Sequence, residues 1–180
     1  MDVTIRQASG ADASALAELA AVTFPLACPP SSQAEDIAAF IAAHLSEASF
    51  AAYLSDPQRK LFVAQDALAP AVPRLLAYTM LVDAPPSDAD VLAALNGPAM
   101  ELSKCYAHPD CHGTGISAAL MAASLLWAAE QGSPQVWLGV NAENLRAKKF
   151  YEKHGFAVAG QKSFQLGSRV EHDYVMLRPL

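Results

Sequence analysis

The spacing of apolar positions changes period several times along the chain, and each change marks an element. "VTIRQAS", from Val3, predicts a short first strand, and "ASALAELAAVTF" then repeats apolar residues every three to four positions, which predicts a helix. Ser9 stands as its N-cap with Asp12 three residues on, a spacing that lets each satisfy the other's backbone N–H. "PLACPPSS" breaks the pattern as a loop. "QAEDIAAFIAAHLS" and "EASFAAYLSD" are helical again, whereas "KLFVAQ" and "RLLAYTMLVDA" are strand-like and joined by "DALAPAVP", whose prolines exclude regular structure. "PPSDADVLAALNGPA" reads as an insertion between strands. The strand "MELSKCYA", a glycine turn, a helix from Ile116 to Gln131, the strand "QVWLGV" and the helix "NLRAKKFYEKH" follow. "FAVAGQKSF" and "RVEHDYVMLRP" close the chain as a strand pair turning at Gly167.

Strands interleaved with helices predict an α/β fold with a mixed sheet. The strand, glycine turn, helix and strand around Gly115 predict a βαβ unit whose two strands are parallel. At 180 residues, with no internal repeat, one domain over 1–180 is expected.

Composition narrows the function classes. With 12 Lys and Arg against 18 Asp and Glu, the net charge is −6 and the basic residues are scattered, which argues against nucleic acid and favours a cationic substrate. No apolar run reads as long and clean enough for a membrane span: the Ala-rich helix after Gly115 is interrupted by Ser124 and ends at Glu130 and Gln131. "MDVTIRQASGADA" has no apolar core of a signal peptide, so a cytoplasmic location is expected. Cys28, Cys105 and Cys111 show no CxxC spacing and cannot all pair within one chain, which fits a reducing compartment and no metal site.

Candidate chemistry begins at "HPDCHGTGIS". Gly113 and Gly115 follow a strand and open a helix, the arrangement that presents free backbone N–H groups to an anion, so a phosphate-bearing guest is expected. "GTGISA" formally satisfies the dinucleotide spacing G-x-G-x-x-G/A. The strand before it carries Glu101, Ser103 and Lys104, however, and the following strand ends in Asn141 where a ribose-binding acid belongs. A turn that only caps a helix is the remaining bland reading.

Taken together, "ELSKCYAHPDCHGTGISAAL" and "VWLGVNAENLRAKKFYEKHGFAVAG" resemble the GNAT superfamily of N-acetyltransferases. Its second block, N-x-x-A-x-x-F-Y-x-K-x-G-F, is matched at Asn144, Ala147, Phe150, Tyr151, Lys153, Gly155 and Phe156. Its first, [QR]-x-x-G-x-[GA], is matched at Gly115 and departs at His112 and Ser117. The resemblance implies a central, mostly antiparallel sheet in which two parallel strands, beginning at Glu101 and Val136, splay apart to admit acetyl-CoA, with helices on both faces.

On that resemblance, backbone groups of Cys105, Tyr106 and Ala107 grip the pantetheine arm, and His112, Gly113, Thr114, Gly115, Ile116 and Ser117 hold the pyrophosphate. Asn144 caps its helix and bonds the arm, Lys153 and Arg146 reach the 3′-phosphate, Tyr151 protonates the departing sulfur, and Glu101 takes the proton from the amine. Lys104 is assigned no chemistry. Direct transfer in a ternary complex is expected, with no metal.

For the acceptor, the C-terminal text resembles the bacterial spermidine/spermine branch at Trp137, Leu138, Gly139, Val140, Phe164, Gly167 and Asp173. Phe24, Glu171 and Asp173 are the substrate candidates, since a polycation asks for carboxylates and aromatic faces. The alternatives are a protein N-terminal or lysine acetyltransferase, which needs an open peptide groove, and an acyl-CoA-binding module without turnover. A homodimer is left open.

Overall fold

The computed structural model describes residues 3–67 and 74–180, so most of "DALAPAVP" lies outside the described residues. Seven strands form one sheet in the order β1-β2-β3-β4-β5-β7-β6. They are β1 (Val3–Gln7), β2 (Arg59–Asp66), β3 (Leu75–Val82), β4 (Met100–Ala107), β5 (Gln135–Asn141), β6 (Ala157–Leu166) and β7 (Arg169–Pro179). Every neighbouring pair is antiparallel except β4 and β5. That pair is joined only at Met100 with Val136 and Glu101 with Trp137, after which the ladder stops and the strands part.

Among the described residues six α-helices cover the sheet: α1 (Ala13–Thr23), α2 (Ala34–His44), α3 (Glu47–Ser55), α4 (Ala89–Ala94), α5 (Ile116–Glu130) and α6 (Leu145–Lys153). One face carries α1 to α4. There Leu16, Leu19, Phe50, Val63, Tyr78 and Met80 bury together, while α4 packs Val91 against Trp137 and Val175. The opposite face carries α5 and α6, with Met121, Leu125, Leu138, Tyr151, Phe156 and Met176 in one cluster. Full burial of each such side chain contributes about 1.5–3 kcal/mol, so both faces are anchored by several large residues.

Two expectations need correction and a third gains detail. Ser9 and Asp12 do pair, Ser9 N–H donating to Asp12 Oδ2 at 2.7 Å, but they close a 3-10 turn (Gly10–Asp12) and α1 starts one residue later. Asp12 is drawn into that turn by Arg6, whose guanidinium donates to both carboxylate oxygens at 2.9 and 2.7 Å. Secondly, the insertion between β3 and β4 holds a helix: Asp88 accepts from the N–H groups of Asp90 and Val91 and starts α4. Thirdly, residues 34–55 do reach the length and apolarity of a membrane span. They are folded as two helices, because Leu45 leaves helical geometry (φ −129°, ψ 18°) and Ser46 caps a new start by accepting from the Ser49 N–H. Neither is as long as the roughly 20 residues a bilayer requires.

Candidate active site

The site grows from an irregularity in β4. Met80 pairs with Lys104 and Leu81 with Leu102, so Ser103 is an extra residue, a bulge that bends the strand and sharpens its twist where β5 leaves it. Simple alternation would set Glu101 and Lys104 on opposite faces. The bulge instead puts Glu101, Lys104 and Tyr106 together on the α1–α4 face, and leaves Leu102 and Cys105 facing α5 and α6.

Burial raises the Glu101 carboxyl above its ordinary value, against the cations Lys104, Lys162 and Arg59, which pull it down. Lys104 is the converse: burial lowers it to about 8 although Glu101 favours its charge. Its ammonium lies 5.3 Å from the centre of the Tyr53 ring, a ring it shares with Arg59 at 4.9 Å. Sequence reasoning passed over Lys104 because nothing in "MELSKCYA" announces the bulge.

Tyr151 comes from the other face. Asn144 caps α6 by accepting from the Ala147 N–H at 3.0 Å, and two turns on Tyr151 is buried against Phe150 and Phe156, with its hydroxyl near the Cys105 thiol. Burial pushes the phenol well above its ordinary value and Cys105 up to about 12, so both are neutral at physiological pH. Glu101 and Tyr151 therefore flank the β4–β5 gap from opposite faces.

At the end of β4 the chain makes the turn that sequence reading gave to phosphate. Gly113 (φ 78°) and Gly115 (φ 84°) both sit in the left-handed region that side chains avoid. The first helical bond after Gly115 is Ala119 N–H to the Gly115 carbonyl at 3.0 Å, so the N–H groups of Ile116, Ser117 and Ala118 open α5 without helical acceptors. The N–H groups of His112 and Thr114 do not belong with them: they donate to Pro109 and Cys111 carbonyls at 3.1 and 3.2 Å. His112 brings its ring instead. Arg146, at the start of α6, lies with guanidinium nitrogens 2.7 and 3.3 Å from the two His112 ring nitrogens, and burial and that cation together lower the imidazole pKa. Arg146 thus supplies the permanent charge that His112 lacks. Lys153 is exposed at the far end of α6, about 10 Å further along at 1.5 Å per residue.

The substrate candidates converge on the α1–α4 face. Phe24 stacks on Phe40 of α2 at 4.6 Å between ring centroids, Phe40 meets Phe164 of β6 at 5.6 Å, and Phe24 meets Tyr106 at 6.4 Å. Glu171 and Asp173 of β7 are not exposed hairpin residues: they are 8% and 9% exposed. Asp173 is raised by burial, with Lys162 opposing and Glu171 assisting. Glu171 Oε1 is buried without a hydrogen-bond partner among the described residues, its nearest cation being Arg169 Nε at 3.5 Å. Arg169 also donates to the Ser31 carbonyl at 2.8 Å, tying the β6–β7 tip to the segment before α2. His108 and His154 stay outside this group; His108 accepts from the Asp110 N–H and His154 lends its carbonyl to Arg178.

Residues 16–156 match the model of the Acetyltransferase (GNAT) family. The chain belongs to that family. An uncharacterised N-acetyltransferase of Mycobacterium tuberculosis is 47% identical over 169 residues, covering 94% of this chain and 98% of that protein. Among solved structures, the PaiA N-acetyltransferase of Thermoplasma acidophilum in complex with coenzyme A superposes with a TM-score of 0.77 at 20% identity, with all of both chains covered. An Escherichia coli alanine N-acetyltransferase of a ribosomal protein gives 0.69 at 19% identity, over 99% of this chain and 94% of that one. The GNAT assignment accounts for the parted parallel strands, and the polyamine branch that sequence reading favoured is a finer matter than these likenesses reach.

Proposed function

We propose that this GNAT protein transfers an acetyl group from acetyl-CoA to a primary amine of a small cationic molecule, a polyamine or a compound like it. The observation that carries the acceptor class is the buried pair Glu171 and Asp173 on the face of the Phe24, Phe40 and Phe164 rings, with Glu171 Oε1 lacking a hydrogen bond and its ion partner Arg169 Nε 3.5 Å away. A bound ammonium would give that oxygen the close, charge-assisted hydrogen bond that Arg169, at 3.5 Å, does not make. The packing of the β6–β7 tip on the segment before α2 favours a small guest over a peptide lying across the face.

The residues fit the cofactor that the family implies. Ile116, Ser117 and Ala118 would bond its pyrophosphate at the positive end of α5, with Arg146 and His112 adding charge, and Tyr106 and Ala107 would pair with the extended arm along β4. Its thioester supplies the acetyl group. On the α1–α4 face Glu101, ionised, takes the proton from the incoming ammonium, directly or through water. On the other face Tyr151, protonated, gives its proton to the leaving sulfur. Base and acid thus act from the two sides of one gap, and the transfer is direct.

The test is an amine panel read by release of free coenzyme A thiol. A diamine should outcompete a monoamine of equal length, and Glu171→Gln with Asp173→Asn should raise the diamine KM about 10-fold or more while a monoamine changes little. Because both carboxylates are buried, salt should screen the preference only weakly. Inert polyamines and an efficiently acetylated peptide N-terminus would leave these acids a structural role.

The pH dependence tests Glu101. It must be ionised to accept a proton, and Lys104 holds its pKa down, so Lys104→Met should move the acid limb of kcat/KM upward. An unmoved limb assigns the proton to another group.

A further inference from the structure

One cation in the acceptor face is supplied by the protein itself. Lys162 of β6 pairs in register with Asp173, and its ammonium lies 3.8 Å from Asp173 Oδ2 and 5.8 Å from the centre of the Phe164 ring. Its stem crosses β5 at Gly139, so closely that a Cβ there would stand 2.7 Å from Lys162 Cε. Gly139 is two residues beyond Trp137, the last β5 residue paired with β4, so this is the mouth of the gap. Glu101, on the opposite lip, feels the same ammonium. A primary amine on a flexible four-carbon stem therefore sits between the proposed base and the buried carboxylate, against an aromatic ring.

We propose that Lys162 occupies the seat of the acceptor amine and is itself acetylated when no free amine competes. The inference rests on the acceptor face described above. In the step, the Lys162 ammonium gives a proton to Asp173 or Glu101, and its nitrogen forms a bond to the acetyl carbon while that carbon's bond to sulfur breaks. The sulfur leaves with a proton from Tyr151, and the second proton that the nitrogen loses on becoming an amide returns through solvent to the Tyr151 phenolate. The products are Nε-acetyl-Lys162 and free coenzyme A, with no other reactant. Acetylation removes the charge that pairs with Asp173 and leaves an amide in the seat.

The experiment incubates the purified chain with acetyl-CoA and no amine, then maps acetyl groups by peptide mass spectrometry. One acetyl per chain at Lys162 is expected, absent in Lys162→Arg, with the exposed Lys149 and Lys153 labelled at least about tenfold more slowly. 1,4-Diaminobutane in the same reaction should slow labelling as it is consumed, and Lys162→Met should lower its KM because nothing has to be displaced. Acetylated diamine with an unlabelled Lys162 overturns the inference and leaves the proposed function standing. So does label spread over the lysines according to exposure. Label at Lys162 with every free amine inert supports the inference and removes the small-amine reading instead.

Discussion

Tyr151→Phe should lower kcat by about 10²-fold or more while acetyl-CoA affinity and thermal stability stay near those of the parent. The prediction is this asymmetric because the hydroxyl and the ring do different work. The ring packs edge-on against Phe150 and Phe156 at centroid distances of 5.6 and 5.9 Å, and phenylalanine keeps both contacts. The hydroxyl's neighbour, the Cys105 thiol, is neutral as it is, so loss of that contact costs about 1 kcal/mol or less net. What the variant lacks is a proton donor already aimed at a sulfur in the β4–β5 gap. Burial raises the phenol's pKa, so the acid form persists through the neutral range and no loss of rate near neutrality should trace to Tyr151. A variant that turns over normally would hand proton delivery to water.

The fold was legible because its signals are local. Alternating runs gave the strands, three-to-four spacing gave the helices, and a turn with two glycines between a strand and an apolar helix required parallel neighbours. The glycine turn was legible for a related reason: a left-handed backbone asks for Gly113 and Gly115, and a helix start offers N–H groups whatever its side chains are. Side-chain partnerships across the sheet were not. The Ser103 bulge has no sequence mark, yet it decides that Lys104 shares a face with Glu101. Phe40 reads as one apolar position of an amphipathic helix, and its stacking on Phe24 depends on how the segment between α1 and α2 folds back. Gly139 was noticed only as part of a resemblance. Its physical reason, the Lys162 stem lying across it, needs the pairing of β5 with β7 and of β7 with β6 to be known first.

Gly115→Glu should abolish measurable coenzyme A binding, with affinity falling about 100-fold or more by calorimetry. Two effects add. A side chain at φ 84° costs roughly 1–2 kcal/mol in backbone strain, and relief of that strain shifts the first-turn N–H groups of α5. A Cβ at this position meets nothing within 4 Å, so the new side chain has room and its carboxylate stays beside the anion-receiving end of the helix. There it opposes a phosphate and engages the Arg146 guanidinium or the α5 dipole in its place. At about 1.4 kcal/mol per tenfold, strain and repulsion together reach the two orders of magnitude expected. Gly115→Ala separates them: it carries the strain without the charge and should lose about tenfold or less. Both variants should keep their far-ultraviolet circular dichroism, since the turn lies on the surface and the α5 contacts at Leu120, Met121 and Leu125 are untouched. If Gly115→Glu bound coenzyme A as tightly as the parent, the phosphates would have to lie elsewhere, and the Arg146–His112 pair would be left without its proposed anion.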